Sequence, residues 1–518
     1  MIVSLREYAT TESAPQSDVC VIGGGTLGLF YAVLAGRRGL RVSVLECGGR
    51  VPSTAHDFGI QAAAGHSTYG GADQGRAFGL GGTSSRWGGV LLSYGPSEFS
   101  DPTDQSFPAV PGLAARMRSS AAQVRQVLGL MPLDEDAPPA RSTLLGSQAL
   151  LAARGIALRQ AEWLPFAKRN MWTAFGIELE RSENVVVWLD AMWKSFEFQR
   201  ANGPARVVRV HATSADGKEL VLSASRFVLA AGAIESTRML LEMASGSSGG
   251  APPPAADLGV GLSDHLSTPV ARADGAHSDR VIRALGSTFS SGTMKTPRLV
   301  DHGSGGGKPA FFAHLVARRD DAGFDVARRF LLGRQKGIGR DVSFRDIASA
   351  GLGLFRLGFE RYVRSRLYIP SAAELLLQLD IEQARNDGNV ITLTDDLDTY
   401  GRRIARIDWR VTEVDWENVQ WASSRILDAM NAGGELAGAF RPIAPADPLF
   451  RTTRDTFHPV GTCRMGDDAR AVVSPEMVVR GTSNLAVLST AVLPSAGSAN
   501  PTFSLLCLAH ALAHEPVG

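Results

Sequence analysis

SDVCVIGGGTLGLFYAVLAGRRGLRVSVLECGGR, residues 17–50, decides how the rest of the chain is read. Val19-Cys20-Val21-Ile22 is an apolar run of strand length that ends on Gly23-Gly24-Gly25-Thr26-Leu27-Gly28, a G-x-G-x-x-G pattern. Leu29–Gly39 has helical composition, and Leu40–Leu45 reads as a second strand that ends on Glu46. A strand, a glycine turn, a helix and a strand are the context in which this pattern marks a dinucleotide site. Gly23 permits the tight turn, Gly25 lets the backbone approach a pyrophosphate, and Gly28 lets helix pack close to strand. Free N–H groups and the positive dipole end of the helix would meet the phosphates. Glu46 lies near the usual spacing, about 20 residues, for the carboxylate that binds a ribose hydroxyl. The bland alternative is a tight turn with no ligand, and the motif alone does not separate NAD from FAD.

The length, 518 residues, allows a large core and two domains, interleaved rather than sequential. A formal charge of +1 gives no bulk attraction to nucleic acid or anionic membrane. Cys20, Cys47, Cys463 and Cys507 form no CxxC pair and no zinc spacing, so no metal site is expected. The first 17 residues lack an apolar signal core, and no apolar run reaches transmembrane length. A soluble cytoplasmic protein is the expectation.

Residues 51–75 are rich in Gly, Ala and Ser and read as a loop. Arg76–Gly89 (RAFGLGGTSSRWGG) offers close backbone approach, hydroxyls and N–H groups to a polar ligand. Helical segments such as Pro111–Leu130 follow, then strands at Val185–Trp188, Trp193–Arg200, Ala205–Ala212, Leu220–Leu222 and Arg226–Leu229. The last runs into Ala230-Ala231-Gly232, a second place for backbone to approach a ligand. Phe311–Val316, Leu375–Gln383, Val390–Leu393 and Ile404–Trp409 are expected to be strands of a separate sheet, and Val414–Phe440 mainly a helix. The carboxylates Asp395, Asp396 and Asp398 lack the glycine and terminal glutamate of a calcium loop and read as an inter-strand turn.

Phe344–Tyr368 sets Arg345, Arg356, Arg361, Arg364 and Arg366 among apolar residues. The expectation is a helix packed over the substrate domain with its arginines solvated. A helix lying on a membrane surface is the alternative.

The last 70 residues carry the chemistry. His458-Pro-Val-Gly-Thr-Cys-Arg-Met-Gly466 is followed by a strand at Leu485–Leu488, by Ser489-Thr490, and by Asn500-Pro501-Thr502 opening a helix. Asn suits an N-cap and Pro the first turn. His458 as a satisfied core histidine and Asn500 as only a cap are the bland alternatives.

Four separated stretches together resemble the glucose–methanol–choline (GMC) oxidoreductases, a family of FAD enzymes. They are the front glycine motif with Glu46, the Arg76–Gly89 loop, Leu229–Leu241 with Leu258–His265, and the tail His458–Gly466 with Ser498–Thr502. The resemblance covers most of the chain. It implies an α/β fold: a doubly wound, Rossmann-like FAD domain with an interleaved substrate domain of antiparallel sheet plus helices. The expected segments are 1–100, 181–269 and 451–518 for the FAD domain, and 101–180 and 270–450 for the substrate domain. The implied FAD contacts are Gly23, Gly25, Thr26, Leu27, Gly28 and Glu46 at the front, and Arg76, Gly82, Thr83, Ser84, Trp87 and Gly88 in the loop. Ala231, Gly232, Ser489, Thr490, Asn500, Pro501 and Thr502 complete the set. Some relatives bond FAD covalently through a histidine placed where this chain has Arg86, so non-covalent FAD is expected.

The implied activity is oxidation of a hydroxyl-bearing carbon by hydride transfer to flavin, with His458 as base and Asn500 as hydrogen-bond donor to the developing alkoxide. Loop and tail resemble the sugar-oxidising, pyranose oxidase-like branch, so the expected substrate is a sugar or polyol. A hydrophobic or lipid-linked alcohol is the runner-up, and an FAD-binding protein without turnover a third reading. Oxygen, a quinone or a protein could each accept the electrons.

Overall fold

The computed structural model describes the chain except residues 9–15, 66–68, 100–108, 138–144, 201–202, 248–249, 304–306, 319–321, 337–342, 344–345, 347–349 and 518. Its first sheet grows from the opening motif. Strand Ser17–Ile22 pairs in parallel with Val42–Leu45 on one side and Glu219–Leu229 on the other. Val185–Leu189 and Ile2–Ser4 extend it beyond Val42–Leu45, and Leu485–Val487 joins Glu219–Leu229. Arg206–Thr213 and Met192–Gln199 finish this eight-stranded sheet as antiparallel strands. Val19, Cys20, Val21 and Ile22 are all buried, as expected of a parallel strand covered on both faces. The expected strands Leu220–Leu222 and Arg226–Leu229 are one continuous strand.

Helix Thr26–Arg37 leaves the sheet at the glycine turn. Gly23 sits at φ +110°, and a Cβ there would lie 2.6 Å from the Ala230 carbonyl oxygen. A Cβ on Gly28 would lie 1.9 Å from the Gly23 carbonyl oxygen, so the helix meets the turn at a distance only glycine allows. Gly28→Ala should therefore push the helix off the turn and cost about 1–3 kcal/mol. Chemical denaturation should show a lowered midpoint, and an unchanged midpoint would mean that helix and turn separate without strain.

The second sheet has nine strands, antiparallel throughout. Its path runs Phe440–Pro442, His265–Ala273, Glu374–Glu382, Phe311–Arg318, Thr293–Asp301, Ala157–Trp163 and Val90–Leu91. Val390–Leu397 and Arg403–Asp408, expected in the same sheet as Phe311 and Leu375, instead pair with each other and with Ala63–Ala64 in a separate three-stranded sheet. Residues 51–75 are not all loop: Ala55–Phe58 is a short helix capped by the Thr54 side chain. The helix expected from Val414 spans Glu413–Asn431 and stops there, with Phe440–Pro442 joining the sheet. The five-segment domain division stays a proposal: strand Val90–Leu91 pairs across it with Ala157–Trp163, and strand His265–Ala273 runs over the boundary at 269/270.

Buried ion pairs tie helix Gly232–Glu242 to its surroundings. Glu235 accepts from Arg76 at 2.7 Å and lies 3.4 Å from Arg238 and 3.6 Å from Arg402. Burial alone would raise Glu235, but Arg238, Arg76 and Arg402 outweigh it and hold the carboxyl at about 2.

The arginine-rich segment departs from expectation. Gly351–Tyr362 is a helix, and Arg345 lies outside the described residues. Leu352, Phe355 and Tyr362 are 66%, 69% and 81% exposed. The helix does not bury its apolar side chains on the substrate domain. It packs on helix Ala322–Lys336, within the expected substrate segment, where a Cβ on Gly323 would lie 2.6 Å from Gly353.

Candidate active site

One cavity of about 430 Å³ brings the separated sequence motifs together. Gly23, Gly25, Thr26, Leu27 and Glu46 line it from the first sheet, and Arg76, Gly82, Thr83, Trp87 and Gly88 from the loop. Ala231 and Gly232 follow the strand Glu219–Leu229, and Ser489, Thr490, Asn500, Pro501, Thr502 and His458 come from the tail. Two expected contacts stand outside this lining. Gly28 is the packing glycine described above. Ser84 is fully buried, donates to the Gly81 carbonyl and accepts from the Met171 N–H at 3.0 Å, so its hydroxyl braces the loop.

Arg76 lines the cavity, but its guanidinium is committed to protein: to Glu235, to the Ile60 carbonyl at 2.8 Å and to the Ala72 carbonyl. It is a strut under the loop more than a free donor. Glu46 is likewise held, accepting from the N–H groups of Gly24 at 2.8 Å, Gly48 at 2.8 Å and Gly79 at 2.9 Å. Those bonds leave part of the acceptor capacity of its two oxygens for a ligand hydroxyl.

The surroundings of His458 fix its protonation. His265 Nε2 faces the Gly497 carbonyl oxygen at 2.8 Å, and a carbonyl only accepts, so Nε2 carries the His265 proton. His265 Nδ1 is then a lone pair, 3.3 Å from His458 Nδ1. The Thr456 hydroxyl donates to Asp264 at 2.9 Å, leaving its oxygen to accept from His458 Nδ1 at 2.8 Å. Both contacts, read from this hydrogen-bond network, place the proton of His458 on Nδ1 and the lone pair on Nε2. Nε2 has no partner among the described residues. Burial and then His265 pull His458 down to about 3, so the ring is neutral and Nε2 is available as a base.

Asp264 anchors this arrangement. It accepts from the His458 N–H at 2.8 Å and from the Tyr69 hydroxyl, as well as from Thr456. Burial raises its carboxyl to about 7, with Asp455 adding to the rise and the Tyr69 and Thr456 hydroxyls opposing it. Asp264, His265 and His458 each bring one possible metal-ligand atom within 4.8 Å of the others, and the hydrogen-bonded chain accounts for that convergence.

Asn500 departs from the bland alternative. It holds the N-cap position of helix Pro501–His514, yet its side chain makes no cap hydrogen bond. Its Oδ1 is buried without any partner. A buried polar atom left unpaired costs about 1–3 kcal/mol, so the position is kept at the expense of stability.

The lining fits a flavin dinucleotide. Helix Thr26–Arg37 opens on the glycine turn with no side-chain cap, leaving its first N–H groups for phosphate. Gly82 stands so close to Gly25 that a Cβ would lie 2.9 Å from its Cα. The Ser489 hydroxyl and the Trp193 indole N–H are buried, unpartnered and in the lining. Sequence reasoning missed Trp193 and the Asp264–His265–Thr456 group. Asp264-His265 stood in a recognised segment without an assigned role, and Thr456 lies only two residues before His458.

The chain is similar to several known proteins. A family model described as GMC oxidoreductase matches residues 384–509. Across 114 residues the chain is 33% identical to a C-glycoside 3-oxidase of Arthrobacter globiformis, covering 22% of this chain and 21% of that one. An alcohol dehydrogenase [acceptor] of Pseudomonas putida is 46% identical over 52 residues, 10% of this chain and 9% of that one. The match thus spans about a fifth or less of these curated relatives. The crystal structure of pyridoxine 4-oxidase from Mesorbium loti superposes with a TM-score of 0.55 at 17% identity, covering 96% of this chain and 98% of that one. That likeness establishes the α/β fold across nearly the whole chain.

Proposed function

We propose, for a chain that belongs to the GMC oxidoreductase family, that its cavity oxidises a hydroxyl-bearing carbon of a sugar or polyol with non-covalently bound FAD. The observation that carries this reading is the pairing, in one cavity, of a neutral histidine with a free Nε2 and an asparagine whose side chain makes no cap hydrogen bond. FAD held by Gly23–Leu27, Glu46, the Gly82–Gly88 loop and Ser489–Thr490 would supply the hydride acceptor. His458 takes the hydroxyl proton at Nε2, and the Nδ1 proton stays with Thr456 and His265. Asn500 donates from its amide to the oxygen as negative charge develops there. Helix Pro501–His514 adds its positive N-terminal end at the same place.

A hydroxyl-rich substrate is favoured over a hydrophobic alcohol by one face of the second sheet. Arg298, His314 and Asp380 stand on adjacent strands there. Arg298 Nε and Nη1 are buried without a hydrogen-bond partner, while His314 Nδ1 and Asp380 Oδ2 lie 3.4 Å apart as a pair. Arg298 lies 4.1 Å over the Phe312 ring, and Phe312 packs against His265, which touches His458. A substrate hydroxyl reaching past His265 from the cavity could accept from Arg298, where an apolar chain would leave that guanidinium unpaired.

The test is an anaerobic screen of sugars, sterols and aryl alcohols that follows loss of the oxidised flavin absorbance. Bleaching by sugars is expected, and bleaching by sterols alone would overturn the polyol reading. Acid denaturation should release intact FAD, since Arg86 occupies the position used for covalent attachment. Flavin that stays with the polypeptide would contradict the non-covalent assignment.

A further inference from the structure

The exposed face of helix Gly351–Tyr362 is the largest feature that the proposed reaction leaves unused. Leu352, Phe355, Phe359 and Tyr362 recur at helical spacing, and with Val363 they form one exposed apolar stripe. Singly exposed apolar side chains are ordinary, but four on one short helix with a fifth just past its end are not. Arg356, Arg361, Arg364 and Arg366 are interspersed with these residues in sequence, and the only carboxylate between Gly351 and Tyr368 is Glu360. Arg364 and Arg366 both bond to Glu360, at 2.8 and 2.7 Å, and Arg361 lies 4.3 Å over the Phe289 ring. The helix therefore carries a net positive charge beside its apolar stripe.

We infer that this helix docks the protein on an anionic lipid surface, with the apolar stripe inserted at the headgroup boundary and the arginines among the phosphates. Of the possible occupants, an anionic bilayer satisfies both halves of the pattern, since apolar side chains enter the interface while arginines stay with charged headgroups. No described helix is long and apolar enough to cross a membrane, so contact would be from one side. The placement also has a consequence for the cavity. Helix Ala322–Lys336, on which this helix rests, carries in its last turn Gln335, whose amide donates to the Trp87 carbonyl at 2.8 Å and the Ser84 carbonyl at 3.1 Å. A docked helix would thus hold the cavity-lining loop one helix away from the bilayer, within reach of an alcohol or electron acceptor dissolved in lipid.

Flotation with phosphatidylcholine vesicles, with and without phosphatidylglycerol, tests this on the flavin-loaded protein. Binding is expected to the anionic vesicles, to weaken as salt rises, and to be slight on the neutral ones. The triple variant Leu352→Ser, Phe355→Ser, Tyr362→Ser should lose binding, while flavin reduction in solution stays as in wild type. Arg356→Gln with Arg361→Gln should lower vesicle affinity roughly thirtyfold. Failure of the wild type to float with anionic vesicles would overturn the inference, as would a triple variant that still binds. So would a dimer that the triple variant converts to monomer without any lipid affinity, since the helix would then be an interface between copies.

Discussion

Replacing His458 by alanine should slow anaerobic flavin reduction by about two to four orders of magnitude while the flavin stays bound. The effect is large because the hydroxyl proton loses its acceptor, and no other group in the lining offers an equivalent one. Glu46 and Glu235 reach the cavity, but the first is held by three backbone N–H groups and the second by arginines. Retention of FAD is expected because the imidazole contributes no packing to the glycine turn or to the Gly82–Gly88 loop. The pH profile adds a second readout. Burial and His265 hold His458 near 3, far below the ordinary histidine value, so the neutral base persists as pH falls through the range where a free histidine would protonate. His458 itself should therefore contribute no acid-side loss centred near 6.5, and a limb near 7 would belong to Asp264. If alanine at 458 reduces flavin at a near-normal rate, the histidine is a core residue and the base must be sought elsewhere.

The fold was legible in the sequence where local chemistry is restrictive. Gly23 and Gly28 are demanded by a positive φ and by a contact no Cβ survives, so their spacing alone announces the turn. The parallel strands around Ser17–Ile22 carry short apolar runs such as Val19–Ile22 and Phe227–Leu229, which composition reveals. Pairing partners were not legible. Phe311–Arg318 and Val390–Leu397 look alike as strands, and only long-range register sends them to different sheets. The site divides the same way. His458 and Asn500 stand in compact local patterns, whereas the Asp264–Thr456 support brings together residues almost two hundred positions apart. The exposed helix was ambiguous for a further reason: an apolar stripe flanked by arginines has the same sequence whether it is covered by protein or by lipid.

Asn500→Asp separates catalysis from capping more cleanly than removal of the side chain would. In the structure the Asn500 side chain makes no cap hydrogen bond, so the substitution sacrifices none. An ionised aspartate at an N-cap is a good helix terminator and gains from the dipole, by about 0.3–1 kcal/mol. The protein should therefore fold and melt as wild type does, or slightly higher. Catalysis is expected to move the other way. A carboxylate has no donor to offer, and its charge repels an oxygen on which negative charge is growing. Loss of one such donor typically costs about a hundred- to a thousandfold, and repulsion adds to it, so flavin reduction should slow by at least about a hundredfold. The deficit should fall on the limiting rate at saturating substrate more than on the half-saturating concentration, because the interaction strengthens only as the alkoxide forms. A variant that is stable, binds FAD and reduces it at nearly the wild-type rate would show that no donor is needed at position 500, and the two-residue mechanism would fall with it.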